Sequence, residues 1–301
     1  MTRRALRIAT TLIIIQSLLF FPAPVSRAQD GLTQAEIILA KETADLFMKR
    51  LDETGDFSSV IDEMYVEDFI ERYIQQQMHE GKESDSFTDI YFAPGKYKRD
   101  LLKLATVEDW RRLYIAANNF MYHIIITGLN KHADDFLNGR ELDDETADKC
   151  IPSKVIELFN NHPILKGSFG FDDGKLGESN PAEGAQRGGA QEESGPKSVE
   201  TPEEMQDVTE TLQEGLRLLL DDQGDHSIRL TDSAKSALAV NTLKLEEKGL
   251  MEPMIEVNDK KFLGLLPGTR ILAVPTPFRF WLEIAEVNGK HKIVRAQFWP
   301  D

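Results

Sequence analysis

Six histidines, one cysteine and a large excess of carboxylates are the groups in this sequence that could do chemistry. His79, His123, His132, His162, His226 and His291 form no His-Glu-x-x-His and no other close His/Cys ligand spacing, so the sequence predicts no metal site. His123 is the best candidate for a tuned base, because Tyr122 and Ile124 flank it and desolvation perturbs an imidazole. A core histidine with satisfied nitrogens is the favoured reading. His132, nine residues on, falls on the opposite helix face. The string Asp221-Asp222-Gln223-Gly224-Asp225-His226 has the composition of a calcium loop. It lacks the alternating oxygen ligands and the distal glutamate of an EF-hand, and reads as a helix-ending turn. Cys150 has no neighbour that would lower its pKa and reads as a structural thiol. There is no Gly-x-Ser-x-Gly elbow, no phosphate-binding glycine loop and no dinucleotide fingerprint. Hydrolase and nucleotide chemistry lack a positive signal, and no cofactor is expected.

The most informative stretch for binding is the C-terminal hairpin. Asn288-Gly289 is the pair that a two-residue type I′ turn demands, since both central residues take positive φ. Pairing Val287 with Lys290 predicts Phe278 opposite Trp299, Phe280 opposite Gln297, Leu282 opposite Arg295, Ile284 opposite Ile293 and Glu286 opposite His291, all on one face. Arg279, Trp281, Glu283, Ala285 and Val287 then face Phe298, Ala296, Val294, Lys292 and Lys290 on the other. The first face sets Arg295 and Gln297 among Phe280, Leu282 and Trp299. A few polar groups on an apolar wall is how a small-molecule pocket is built. The competing reading has Arg295 lay its stem on apolar surface with its head in solvent. A Glu286–His291 pair beside the turn signals no catalysis.

The rest of the chain must position that hairpin. In 301 residues, 51 acidic side chains face 35 basic ones, and 41% of the residues are hydrophobic. A disulfide scaffold, a collagen-like fibre and a wholly disordered chain are excluded. The net charge of -16 repels phosphate backbones. The densest basic stripe, Lys96, Lys98, Arg99 and Lys103, is short and lies among acidic neighbours, so no nucleic-acid role is expected. Residues 1–28 read as a secretory leader: Arg3, Arg4 and Arg7, an apolar stretch over 8–21, then Ser26-Arg27-Ala28 as a small-x-small cleavage site. The apolar stretch is short of the roughly 20 residues that span a bilayer. One cysteine, and ten asparagines of which none lies in an Asn-x-Ser/Thr pattern, fit a bacterial periplasmic or secreted protein.

Apolar spacing before residue 167 is helical. Thr33 and Glu36 have capping-box spacing ahead of Ile37, Ala40, Ala44, Phe47, Met48 and Leu51, with Gly55 as the stop. Ser59 with Asp62 predicts a second helix, with Ile61, Met64, Tyr65, Phe69, Tyr73 and Ile74 inward and Gly81 at its end. A short helix over 96–104, a long one over 107–138 and another over 153–161 follow. Residues 167–202 hold 8 of the 20 glycines and 3 of the 13 prolines, and 172–200 is predicted disordered. Thr201, Pro202 and Glu204 open a helix through Leu220, and a further helix spans 232–248. Strands are predicted over 254–257, 261–265, 270–274, 278–287 and 291–298. The fold class is α+β: a helical module over 30–166, an acidic Gly/Pro-rich linker over 167–202, and a module over 203–301 of helices packed on an antiparallel sheet.

Two stretches carry a family resemblance. One runs from Ala44-Asp45-Leu46-Phe47-Met48 through Thr54-Gly55-Asp56-Phe57 to Met64-Tyr65-Val66-Glu67-Asp68-Phe69; the other is the hairpin from Phe280 to Val294 with its Asn-Gly turn. They resemble the opening helices and final strand pair of the nuclear transport factor 2-like superfamily. The resemblance implies a curved antiparallel sheet wrapped on helices, often around a pocket. That family holds both enzymes and binding proteins, so it assigns no activity. The two stretches lie far apart, which requires a helical insertion plus the linker, or else separate domains.

The expectation is an exported, non-enzymatic protein that binds a small apolar or amphipathic ligand, or a protein partner, through its C-terminal sheet. Arg295, Gln297, Phe280, Leu282 and Trp299 are the candidate site residues. The alternatives are a pocket enzyme doing acid-base chemistry, with His123 or the Tyr65 hydroxyl near a carboxylate, and an envelope-associated interaction module without a pocket. Neither a nucleic acid nor, once the leader is cleaved, a membrane is an expected partner.

Overall fold

The computed structural model describes residues 33–72, 74, 105–138, 151–165, 201–222, 229–257, 265–277 and 280–298. The leader, the predicted disorder over 172–200, the helix over 96–104, Gly81, Cys150, the basic stripe and most of the strand over 261–265 lie outside the described residues.

Helix α1 (Gln34–Thr54) opens on the expected capping box, with Thr33 N–H and Glu36 N–H each bonded to the other residue's side chain. It ends where Gly55 turns left-handed at φ 63° and donates its N–H to the Leu51 carbonyl. Ala40, Ala44, Phe47 and Leu51 form its buried face. Each large side chain so buried contributes about 1.5–3 kcal/mol. Helix α2 (Phe57–Met64) departs from expectation at both ends. Asp56, not Ser59, caps it, accepting from the Ser58 N–H at 2.9 Å. It stops at Met64 because Tyr65 is extended and forms a parallel bridge to Ile293, where the Val66 N–H donates to the Ile293 carbonyl.

Helix α3 (Val107–Leu137) is capped by reciprocal bonds between Thr106 and Asp109. Helix α4 is Ser153–Asn161. Helix α5 (Pro202–Asp222) carries the expected box between Thr201 and Glu204. Helix α6 (Asp232–Glu247) is capped by Thr231. Among the described residues, no helix is long and apolar enough to cross a membrane.

Strands β1 (Met254–Val257), β2 (Arg270–Pro275), β3 (Phe280–Val287) and β4 (Lys290–Phe298) form one antiparallel sheet in chain order. The fold is α+β, helices first and sheet last. Asn288 and Gly289 take φ 53° and 74°, as the hairpin turn requires.

The residues before and after the 167–202 stretch share one core. Helices α5 and α6 pack on α3, α5 also packs on α4, and α1 lies against β2, β3 and β4. Phe47 and Leu51, Trp110 and Phe120, Phe159, Leu212 and Leu219, and Ile284 and Ile293 belong to a single buried cluster. Arg270 of β2 pairs with Glu36 of α1, and the Lys292 ammonium donates to the Glu63 carbonyl at 2.8 Å.

Candidate functional site

From its turn, the terminal hairpin keeps the expected register as far as Ile284 opposite Ile293, with Glu286 opposite His291. There it slips by one. A β-bulge lies between Glu283 and Ile284 on one side and Ile293 and Arg295 on the other, so Val294 is the extra residue. Ile293 and Val294 are both fully buried, as are the consecutive residues Ile271–Val274 and Leu282–Ala285 of the neighbouring strands, so both faces of the sheet are covered at this level.

The slip overturns the predicted wall. Arg295 stands opposite Glu283, not Leu282, and Leu282 pairs with Ala296. Gln297 pairs with Trp281 and Phe280 pairs with Phe298. Trp299 and Phe278 lie outside the described residues. Leu282 is buried in the core cluster with Ile284 and Ile293. The structure therefore divides Arg295 from Leu282 and brings it to a carboxylate that sequence reasoning had placed on the other face.

Arg295 Nε donates to Glu283 Oε2 at 2.9 Å, and its Nη2 donates to Glu283 Oε1, so the pair is bidentate. The Glu283 side chain is 5% exposed and that of Arg295 24%. Carboxylate below, guanidinium reaching outward, the pair is electrically neutral. On β2, Ala273 lies opposite Glu283, Ile271 opposite Ala285 and Pro275 opposite Trp281. By alternation along β3, half-buried Trp281 shares the face of Glu283 and Ala285. The signal in the sequence was the lone acid inside Phe-Trp-Leu-Glu-Ile-Ala.

A second polar group gathers where the corner between α1 and α2 meets α3. Asn119 accepts from the Phe57 N–H at 2.6 Å and donates to Asp56 Oδ1 at 2.9 Å. One turn on, His123 Nε2 donates to the Gly55 carbonyl at 2.8 Å. Gly55 suits this corner: its φ of 63° is positive, and a Cβ there would lie 3.4 Å from His123 Cε1. Burial opposes ionisation of Asp56, but hydrogen bonds from Ser58 and Asn119 outweigh it and hold the carboxyl below its usual range. Burial pushes His123 down, and the Gly55 carbonyl and Asp56 only partly offset this. His123 is thus a neutral, 3% exposed linchpin of the α1–α2 corner.

Tyr65 is buried, and desolvation raises its pKa. The Tyr114 hydroxyl interacts with it electrostatically, without a hydrogen bond of full geometry to the Tyr65 oxygen. His162 accepts from the Ile164 and Leu165 N–H groups at 3.2 Å and meets Asp207 at 3.0 Å, tying the end of α4 to α5. Asp221 and Asp222 end α5, and the rest of the acidic turn after them lies outside the described residues. Among the described residues, no three His, Cys, Asp or Glu side chains converge as metal ligands.

Comparison with protein families, curated proteins and solved structures finds no match to this chain.

Proposed function

We propose that this chain is an exported, non-enzymatic binding protein whose C-terminal sheet takes a small, uncharged amphipathic ligand, with Arg295 as its polar anchor. The observation that carries this reading is the bidentate Glu283–Arg295 pair among the buried Ala273, Leu282, Ile284, Ala285 and Ile293 of the sheet. Such a pair contributes little to stability beyond what apolar residues of equal volume would give, because desolvation offsets the attraction. Its worth in this reading lies in presenting polar atoms at a fixed point on an apolar wall.

Glu283 balances the guanidinium charge, so the site has no pull on a net anion. A guanidinium is suited to a carbonyl or hydroxyl head. Half-buried Trp281, on the same face as the pair, offers an aromatic wall to an apolar tail. The likeness to the nuclear transport factor 2-like superfamily is part of the same reading. It is supported by the bridge from Tyr65 to Ile293, which joins the two stretches that carry the resemblance.

The test is a titration of the full chain with Nile red, an uncharged dye with a carbonyl acceptor, followed by competition. A monoacylglycerol is expected to displace the dye at lower concentration than the matching fatty acid anion. The double variant Glu283→Leu with Arg295→Met keeps the volume and is expected to fold and to lose that preference. A double variant that binds the dye with unchanged affinity and order of competition refutes the assignment.

A further inference from the structure

His162 joins α4, the turn after it and α5 through its backbone and both ring nitrogens. It caps α4, its own N–H donating to the Phe159 carbonyl at 3.1 Å. Its Nδ1 faces two backbone donors, the Ile164 N–H and the Leu165 N–H, each at 3.2 Å. Its Nε2 lies 3.0 Å from Asp207 Oδ2 on α5. A nitrogen that meets two N–H groups must offer a lone pair, so Nδ1 is bare, Nε2 carries the ring proton and donates it to Asp207, and the ring is neutral. The His162 side chain is 6% exposed and that of Asp207 64%, so the contact is buried on its backbone side and wet on its carboxylate side. It holds the last described residues before the 167–202 stretch to the helix that follows that stretch.

A second ring proton changes one end of this contact only. It must enter at Nδ1, where it turns an acceptor into a donor opposed to two other donors. At Nε2 the bond to Asp207 survives and becomes charge-assisted on both sides. On α5, Glu203, Glu204 and Glu210 stand one turn from Asp207 and carry the same charge. On α4, Lys154 and Glu157 are of opposite sign. Helix α3 meets α4 at the Phe120–Phe159 ring contact, and from Leu113 to Asn130 it has no carboxylate, lysine or arginine, while its His123 is held by Gly55. A protonated His162 therefore keeps Asp207 and gives up Ile164 and Leu165.

We propose that His162 is a proton-operated clasp: the neutral ring pins the 162–165 turn to α5, and the imidazolium swings outward with Asp207 and frees the Ile164 and Leu165 amides. Ile164 and Leu165 belong to the shared core, as do Phe159 of α4 and Met205 and Val208 of α5. Acid thus loosens that core at the seam between α4 and α5, where the residues before and after the 167–202 stretch meet.

The experiment is NMR on the full chain labelled with nitrogen-15, following the His162 ring nitrogens and the Ile164 and Leu165 amides from about pH 8 to about pH 5. At the alkaline end the ring is expected to be protonated at Nε2 and bare at Nδ1. As the ring takes up its second proton, both amides are expected to shift in step with it and, after correction for the intrinsic pH dependence, to exchange about tenfold faster. His162→Asn sets an oxygen that takes no proton in the place of Nδ1, and is expected to hold both amides over the whole range. The wild-type titration is decisive even if that variant folds poorly. A ring bare at Nε2 at the alkaline end overturns the clasp, as does a ring that takes up no proton over the range or one that titrates with both amides unmoved. Amides that loosen with acid in His162→Asn as they do in the wild type overturn it too.

Discussion

At the residue scale, charge and burial oppose each other at Glu283–Arg295 and at His123, and each has a measurable consequence. His123 has a folded pKa below its ordinary 6.5 because burial disfavours the imidazolium. The unfolded chain then binds more protons between the two values, so this contribution is fully present above about pH 6.5 and lost as pH falls through the folded value. Asp56, also depressed, adds a second loss only below its ordinary 3.8. Urea unfolding of the wild type is therefore expected to weaken between about pH 7 and pH 5, with a smaller slope in His123→Gln, whose amide can still donate to Gly55. Equal slopes would mean that His123 is not desolvated. His123 was legible in the sequence as a core histidine between Tyr122 and Ile124; its partner Gly55 was legible only as a helix stop, because their contact spans 68 residues.

At the scale of elements, the packing of α5 on α3 and α4 rests on Gly215. A Cβ there would lie 2.8 Å from Phe159 Cζ and 3.3 Å from Phe120 Cε2. Those rings are fully buried and packed edge to face with centroids 4.8 Å apart, so they have little room to give. Gly215→Ala should gain about 1 kcal/mol of helix propensity and lose about 1–3 kcal/mol to overpacking. A lower denaturation midpoint is the expected net result, and a raised midpoint would mean that the rings yield. Two helix starts were readable because caps are local: Thr33 with Glu36 and Thr201 with Glu204 announce themselves within four residues, whereas the start of α2 was misplaced at Ser59 when Asp56 caps it. The Asn288-Gly289 turn was readable for the same reason. The end of α2 and the β4 bulge were not, since both answer to a meeting of Tyr65 and Val66 with Ile293, more than 200 residues away.

Over the whole molecule, the 167–202 stretch separates two regions in sequence whose described residues share one core in space. Composition made the stretch legible, but composition carries no information on whether its flanks meet. Limited proteolysis is expected to cut first within 172–200, where few large side chains could hold the chain down. The fragments should still co-elute on a sizing column under native conditions, because α5 and α6 cover α3. Separation without denaturant would contradict the shared core. The C-terminal sheet depends on the same union: α1 lies on its strands and Tyr65 anchors β4 at Ile293, so the bulge that turns Arg295 to Glu283 is a product of the entire fold. Whether Arg295 stands across from Glu283 is read most directly by a double-mutant cycle in urea, with Glu283→Gln, Arg295→Met and the two combined. Each single change should cost about 3–5 kcal/mol by stranding a buried charged or polar partner, and the combined change far less than their sum, a coupling of a few kcal/mol. Strictly additive losses would place the two side chains on opposite faces of the sheet.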